Sequence, residues 1–192
     1  MPIINKIKKK NLEIGIWKID ETSQELHRLD KLNYRTDGLS EKNKKEFLAS
    51  RILASKFISN YKIKYDKYGG PIINNNMHIS ISHTNELAST IISNKKVGLD
   101  IEKISEKALK VQSKFINKIH NDLNNEKATL LWCCKEAIFK WHRKGRVNFL
   151  KDIVIHPFSM KNHGEILADF LGNEITLNFL KINKHFLVYV CK

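Results

Sequence analysis

Residues 129–146 read Thr-Leu-Leu-Trp-Cys-Cys-Lys-Glu-Ala-Ile-Phe-Lys-Trp-His-Arg-Lys-Gly-Arg. The stretch lacks proline, consists mainly of good helix formers and carries Gly145 near its end, so we predict a helix capped by this glycine. The helical period predicts one apolar stripe, made of Leu130, Cys134, Ala137 and Trp141. A different face carries Trp132, Glu136, Lys140 and Arg143. The acid and the lysine on that face are either a solvated ion pair or part of a site.

A second cluster lies upstream, where residues 97–102 read Val-Gly-Leu-Asp-Ile-Glu. Residues two apart on a strand face the same way, so Asp100 and Glu102 present two carboxylates side by side, and Gly98 leaves room for a close neighbour. Paired carboxylates resist full ionisation unless a cation lies between them, and Mg²⁺ prefers oxygen ligands. Glu136 would complete such a site. The alternative is a strand end with two solvent-facing acids.

Hydrophobic periodicity and turn residues predict the other elements. The predicted strands are residues 12–19, 78–83, 87–92, 97–101, 152–155, 165–171, 174–180 and 185–190. Helices are predicted at 23–32, capped by Thr22 or Ser23, from the Ser40 cap to about Tyr61, and at 105–120. Residues 65–76 are rich in turn signals. Each half of the chain therefore carries strands and one longer helix.

No linker rich in Gly, Ser or Pro separates the halves. We predict an α+β fold of two similar α/β lobes, a pseudo-dimer in which each lobe has a small antiparallel sheet and a long helix. The lobes are expected at residues 1–94 and 95–192, within one compact unit.

The 192 residues include 34 Lys and Arg against 20 Asp and Glu, a net charge of +14. This excess favours polyanionic partners, although the lysines are scattered and compositional drift is an alternative cause. Residues 1–20 contain too many lysines for a signal peptide, and no apolar run is long enough to span a membrane. Adjacent Cys133 and Cys134 lack metal-ligand spacing. We therefore expect a cytoplasmic protein with reduced core thiols.

One side of the predicted helix that starts at Ser40 carries Lys44, Leu48, Arg51 and Ser55. Two cations on this side are able to reach a common anion, and a solvated basic face is the alternative.

The two clusters together resemble the signature of the 4′-phosphopantetheinyl transferases. The matching residues are Val97-Gly98-Leu99-Asp100-Ile101-Glu102 and Trp132-x-x-Lys135-Glu136-Ala137-x-x-Lys140. Further matches are Leu48-Ala49-Ser50-Arg51, Gly69-x-Pro71 and Ile81-Ser82-His83-Thr84. The length resembles the monomeric, two-lobed, surfactin-synthetase-activating type, in which the active site lies between the lobes.

The resemblance implies an enzyme that moves the 4′-phosphopantetheine arm of coenzyme A onto a serine of an apo carrier protein and releases 3′,5′-ADP. It implies Asp100, Glu102 and Glu136 as ligands of Mg²⁺, with Mn²⁺ as the alternative ion. Lys140 would neutralise charge on the phosphates, and Glu136 or a bound water would take the serine proton. Trp132 is expected to pack the helix in place.

The coenzyme A residues implied by position are Arg51 and His83, with Ser82 nearby, which would hold the nucleotide end and its 3′-phosphate. Lys44 lies on the same helix as Arg51 and joins this group. A departure occurs at Gly70, where the family has a lysine that contacts coenzyme A. Lys67 is the predicted substitute.

A second departure concerns the general base. Surfactin-type members often have a Glu a few residues beyond the Phe of the segment between the motifs, but counting from Phe115 this chain offers His120, with Asp122 as the nearest acid. His120 is a further candidate for the base, since its ordinary pKa is near neutral. The alternative is a surface histidine.

Two other functions are alternatives. A catalytically weak or silent homologue would only bind a carrier protein, and turnover separates it from an enzyme. A basic nucleic-acid-binding domain rests on net charge alone, and Asp100 and Glu102 would repel its ligand. The expected partners are therefore coenzyme A and an apo acyl or peptidyl carrier protein, without nucleic acid or membrane, for a monomer.

Overall fold

The computed structural model describes residues 3–58, 62–73 and 76–192, and its longest helix is α4, Asn125–His142. Asn124 caps its start, because its side chain accepts a hydrogen bond from the Lys127 amide at 2.9 Å. Arg143 ends it in a left-handed conformation with a φ of 65°. The predicted helix is confirmed, but it begins earlier than predicted and its cap is Arg143 rather than Gly145.

The unit Gly98–Lys192 is built on a five-stranded sheet, against which α4 packs. The neighbouring strands are, in order, β7 (Val97–Lys103), β11 (His185–Cys191), β10 (Asn173–Ile182), β9 (His163–Phe170) and β8 (Ile153–Ile155). β10 pairs antiparallel with both of its neighbours, and β8 pairs antiparallel with β9. Leu130, Cys134 and Ala137 of α4 are buried in the core of this unit, with Trp141 half-buried against it. The predicted apolar stripe is therefore confirmed.

The segment between the two motifs differs from the prediction of one helix over residues 105–120. α3 spans only Glu106–Lys110, and a 3₁₀ turn follows at Gln112–Lys114. Beyond this turn the side chains of Asn117 and His120 bond to backbone carbonyls far along the chain, at 2.8 and 3.0 Å. These long-range bonds favour an irregular path over a continuous helix, although the apolar spacing is helical.

The unit Met1–Val97 is built on a four-stranded antiparallel sheet, against which the second-longest helix packs. Its strands are, in order, β1 (Ile3–Lys9), β2 (Leu12–Lys18), β6 (Leu87–Ser93) and β5 (His78–His83). β1 was not predicted, because lysines interrupt its apolar pattern. It lies at the sheet edge, where exposed lysines discourage pairing with another chain. The predicted turn region contains a small hairpin of β3 (Lys64–Tyr65) and β4 (Pro71–Ile72).

Two helices belong to this unit. α1, Ser23–Leu29, begins at Thr22, whose side chain forms a capping box with Glu25. α2, Glu41–Ser55, begins at Ser40 as predicted but ends before the predicted limit. The amides of residues 56 and 57 bond to carbonyls three residues back, which tightens the last turn and ends the helix. Tyr61, the predicted limit, lies outside the described residues, as do residues 74 and 75 of the predicted turns.

The chain is thus a mixed α/β protein with antiparallel sheets, and four α-helices occur in its described residues. This part of the predicted fold class is confirmed, while the pairing of two similar lobes stays a prediction. Each unit contains one larger sheet and one long helix, and the unit Met1–Val97 also contains the two-stranded sheet of β3 and β4. Within the described ranges no helix combines the length and apolarity needed to cross a membrane. Cys133 and Cys134 are free thiols in the core, as predicted.

Candidate active site

The site begins at Gly98 of β7, where strand and helix come unusually close. A Cβ atom at this position would lie 2.1 Å from the Ala137 carbonyl oxygen and 2.4 Å from the Trp141 amide nitrogen of α4. Only glycine allows the two backbones to approach this closely. Because residues two apart share a face of the strand, Asp100 and Glu102 point toward the same helix.

Two hydrogen bonds join these carboxylates to α4. Lys140 Nζ donates to Asp100 Oδ1 at 2.6 Å, and Trp132 Nε1 donates to Glu102 Oε1 at 3.0 Å. Asp100 is buried and Glu102 is half-buried. The solvent-facing pair of acids considered from the sequence alone is therefore wrong for Asp100. The structure brings the second-motif residues Trp132 and Lys140 onto the acids of the first motif.

The acids of the cluster oppose one another's ionisation. Burial, followed by the negative charge of Asp100, raises the pKa of Glu102 to about 7. The same two causes raise the pKa of Glu136 to about 6. Lys140 acts in the other direction and lowers both values. The two glutamates are thus near enough to Asp100 to feel its charge, and an added cation would favour the ionised form of both.

Lys140 supplies the positive charge of the cluster. Burial alone would lower the pKa of its ammonium, but the Asp100 carboxylate, by its charge and its hydrogen bond, raises the pKa above the ordinary value. Glu136 contributes in the same direction. Lys140 therefore stays protonated through the neutral range, where it can compensate phosphate charge.

The donor set suits a hard divalent ion. Asp100, Glu102 and Glu136 offer only carboxylate oxygens, the ligands that Mg²⁺ prefers, and their mutual repulsion is the cost that such an ion removes. Among the described residues, however, no group of three His, Cys, Asp or Glu side chains is already gathered as a metal site. One oxygen of Asp100 accepts from Lys140, and one oxygen of Glu102 accepts from Trp132.

Trp132 packs between the rings of Phe115 and Phe149, with centroid distances of 5.1 and 5.5 Å. Phe115 comes from the segment between the motifs and is fully buried. The indole therefore fixes α4 against that segment while its N–H holds Glu102. Both observations agree with the expected packing role of Trp132.

Lys135 is a positioning residue that the sequence reasoning missed. It is 1% exposed, and its Nζ donates to the carbonyls of Phe149 and Ile153 at 2.5 Å each and contacts Asn117 Oδ1 at 3.4 Å. Burial lowers its pKa to about 8. The missed signal is periodic, because this lysine shares a helix face with the apolar positions one turn before and after it. It ties α4 to Asn117 of the segment between the motifs and to the chain that leads into β8.

His120 is buried rather than on the surface, so the surface alternative is wrong. Its Nε2 lies 3.0 Å from the Ile155 carbonyl oxygen, an arrangement in which Nε2–H donates. Burial lowers its pKa, and the nearby charges of Lys127 and Lys135 act in the same direction. His120 lines a cavity of about 590 Å³ with residues of the segment between the motifs. Its role as base stays a prediction.

Arg51 of α2 is buried, so the solvated basic face considered for this helix is wrong at this position. Its guanidinium lies 3.7 Å from the centroid of the Phe47 ring, donates to Ser50 Oγ at 2.9 Å and contacts the Tyr65 hydroxyl. Lys44, two turns earlier on α2, is half-buried. The aromatic rings fix the guanidinium in one orientation, as binding of a planar anionic group requires.

The remaining predicted coenzyme A residues lie in the same unit. His83 ends β5, and its Nδ1 lies 3.2 Å from Glu46 Oε2. Ser82 is buried, and its carbonyl accepts a hydrogen bond from Ser89. Lys67 is exposed, with its ammonium 5.0 Å from the centroid of the Tyr68 ring.

The glycine at position 70 lies beside Asp66 in the turn between β3 and β4. Its amide donates to Asp66 Oδ1 at 2.9 Å, and a Cβ atom there would lie 2.8 Å from Asp66 Oδ2. The preceding Gly69 has a φ of +80°. A side chain at position 70 would have to displace the Asp66 carboxylate, which is the end of a side chain that can move, and nothing else in the structure explains the missing lysine.

Comparison with known proteins shows similarity to a curated transferase. The chain is 32% identical over 94 residues to the 4′-phosphopantetheinyl transferase gsp of Aneurinibacillus migulanus. The predicted family resemblance is confirmed. The match covers 45% of this chain and 40% of that relative, so it spans less than half of either protein. No protein-family model matches the chain.

Proposed function

We propose that this protein transfers the 4′-phosphopantetheine arm of coenzyme A to a serine of an apo carrier protein and releases 3′,5′-ADP. The observation that carries the proposal is the cluster around Asp100, which contacts Lys140. The negative charge of Asp100 also contributes to the raised pKa values of Glu102 and Glu136. Phosphoryl transfer depends on positioning and charge compensation, and this cluster provides groups for both. The transferase relative supports the same reaction class.

Asp100, Glu102 and Glu136 are the residues that would hold Mg²⁺, which when bound supplies a Lewis acid for the pyrophosphate oxygens. Lys140 compensates charge on the leaving phosphate, because its ammonium stays protonated at neutral pH. Glu136 is the first candidate to take the serine proton, since a carboxylate that the bound cation keeps ionised is able to accept it. His120 is the second candidate.

The proposal extends to the rest of the predicted assignment. Arg51, His83 and Ser82, with Lys44 and Lys67 nearby, would bind the nucleotide end of coenzyme A. The net charge of +14 suits a phosphorylated substrate and an acidic acyl or peptidyl carrier protein. A monomeric, cytoplasmic enzyme with the two-lobed pseudo-dimer fold completes the proposal.

Intact-mass spectrometry of an apo carrier protein, incubated with this protein, coenzyme A and Mg²⁺, tests the reaction. The expected result is a mass gain of one phosphopantetheine that disappears with chelator or with Asp100→Ala. A matched control is Glu126→Ala. Glu126 lies on α4, as Glu136 does, but outside the cluster, and it pairs with Lys181 of β10 at 2.8 Å. Absence of transfer to acyl and peptidyl carriers by folded protein that binds coenzyme A would establish the silent homologue instead.

A further inference from the structure

Glu46 is a buried acid of α2 that no assignment above uses. It is 7% exposed, although it lies in the first half of a helix whose start is solvent-exposed. Its Oε2 faces His83 Nδ1 at 3.2 Å, and its Oε1 lies 3.9 Å from the ammonium of Lys42. The Lys42 side chain is 60% exposed, so water screens that contact. Among the contacts that the structure describes for this carboxylate, the imidazole is therefore the close partner.

A buried carboxylate is stable in its ionised form only when a hydrogen-bond donor or a cation compensates it. His83 is able to provide both, since Nδ1–H donates to the carboxylate and the ring gains a proton most readily beside a negative charge. Such a contact also fixes the ring plane and the tautomer, as second partners of functional histidines do elsewhere. The opposite ring nitrogen, Nε2, then has a defined direction, and 41% of the His83 side chain is exposed.

We propose that Glu46 is a positioning residue that orients His83 and keeps it cationic for a phosphate monoester, the 3′-phosphate of coenzyme A. The inference rests on the proposed function, because it uses the predicted contact of His83 with the nucleotide. Glu46 acts through His83 and does not itself touch the ligand. A charged imidazolium binds a phosphate dianion more strongly than a neutral ring does. Loss of the Glu46 charge should therefore weaken the binding only of ligands that carry this phosphate.

The test compares coenzyme A with dephospho-coenzyme A, which lacks the 3′-phosphate, by isothermal titration calorimetry. Glu46→Gln keeps the shape of the side chain and removes its charge. We expect it to weaken coenzyme A binding about tenfold and dephospho-coenzyme A binding less than about twofold. Turnover at saturating coenzyme A should keep its kcat while KM rises. Glu41→Gln, the same change at an exposed position of α2, should alter neither affinity.

If Glu46 had a purely structural role, Glu46→Gln would weaken the binding of both ligands equally or lower kcat. Either result overturns the proposal. Unchanged coenzyme A affinity in Glu46→Gln overturns it as well. If Glu46→Gln does not fold, Glu46→Asp, which keeps the charge but withdraws it from Nδ1, should show the same selective loss. A double variant of Glu46→Gln with His83→Ala should be no weaker than His83→Ala alone, and an additive loss would contradict action through the imidazole.

The wild-type protein separates this inference from the proposed function. Equal affinity for the two ligands would exclude a contact between His83 and the 3′-phosphate, and with it the role of Glu46. Phosphopantetheine transfer to the carrier protein would still be observed if the proposed function is right. Absence of transfer together with a preserved selective effect of Glu46→Gln would reject the reaction and retain the binding device.

Discussion

Replacement of Gly98 by alanine should damage both stability and catalysis, because it pushes β7 away from α4. The new Cβ would lie 2.1 Å from the Ala137 carbonyl oxygen, whereas real Cβ contacts essentially never fall below 3.0 Å. The two backbones must therefore separate by about 1 Å, which forfeits up to half of the dispersion energy at the contact. The neighbours are backbone atoms that cannot rotate away, so we expect a loss of about 3 kcal/mol in the free energy of unfolding.

The same displacement reaches the site. The 2.6 Å contact between Lys140 and Asp100 would lengthen toward about 3.6 Å, beyond hydrogen-bond range. A misplacement of this size can lower the transfer rate about 100-fold. Urea unfolding followed by tryptophan fluorescence measures the stability, since two of the three tryptophans, Trp132 and Trp141, lie on α4. Carrier-protein mass shifts measure the rate.

Gly15→Ala is the matched control, because Gly15 lies on β2 beneath α2 as Gly98 lies on β7 beneath α4. Its new Cβ would meet Phe57 Cζ at 2.5 Å and Leu53 Cδ1 at 2.8 Å, which are the ends of side chains that can move. We expect a cost of about 1 kcal/mol and little change in transfer. A Gly98→Ala variant as stable and as active as the Gly15→Ala variant would refute the close approach of strand and helix.

Three further changes test the same unit. Lys135→Met should lower the free energy of unfolding by about 2–4 kcal/mol, because it leaves buried carbonyls without a donor, whereas Lys118→Met at an exposed position should cost little; urea midpoints measure both. His120 has a lowered pKa in the folded protein, so the unfolded chain binds its proton first as pH falls below about 6.5, and stability falls with it. His120→Gln should therefore reduce the fall of the urea unfolding midpoint between about pH 7 and 5. A pH profile identical to that of the wild type would contradict this explanation. Mg²⁺ at about 100 times its Kd should stabilise the wild type by about 2.7 kcal/mol in thermal unfolding and leave Asp100→Ala unchanged; an equal gain in both would exclude Asp100 as a ligand.

The sequence predicted the elements whose signals are local. The long apolar stripe of α4 and the period-two strands of the C-terminal half are visible in short windows, and their positions were confirmed. The helix end was less predictable, since the left-handed residue is Arg143, and local preference favours glycine there. β1 was missed because an edge strand needs only one weakly apolar side, and its lysines hide that pattern.

The predicted helix over residues 105–120 failed for a different reason. Its apolar positions have helical spacing, and Phe115 is indeed buried. What decides the backbone, however, are hydrogen bonds from Asn117 and His120 to carbonyls more than 30 positions away. Such partners are invisible to any local window, so propensity yields to tertiary contacts.

The sequence predicted which residues form the site, but not which of them contact each other. The spacing of Asp100 and Glu102 and their match to the second motif indicated one cluster. That Lys140 binds Asp100 directly depends on how closely Gly98 lets the strand approach the helix, a distance that no pattern encodes. Lys135 had no predicted role beyond its place in the second motif, and the structure buries it.

Lys135 and Glu136 together explain how one helix supports both stability and chemistry. Consecutive helical residues point about 100° apart, so fixing the direction of one side chain fixes that of the next. Lys135 points into the core and is held there by two carbonyls at 2.5 Å, which leaves Glu136 directed toward the charge of Asp100. The buried ammonium thus acts together with the apolar stripe of α4 to set the rotation of the helix about its axis, and the direction of the half-buried carboxylate follows from it. Because the same rotation also places Lys140 one turn further on, a variant that frees Lys135 should disturb all contacts of the cluster at once.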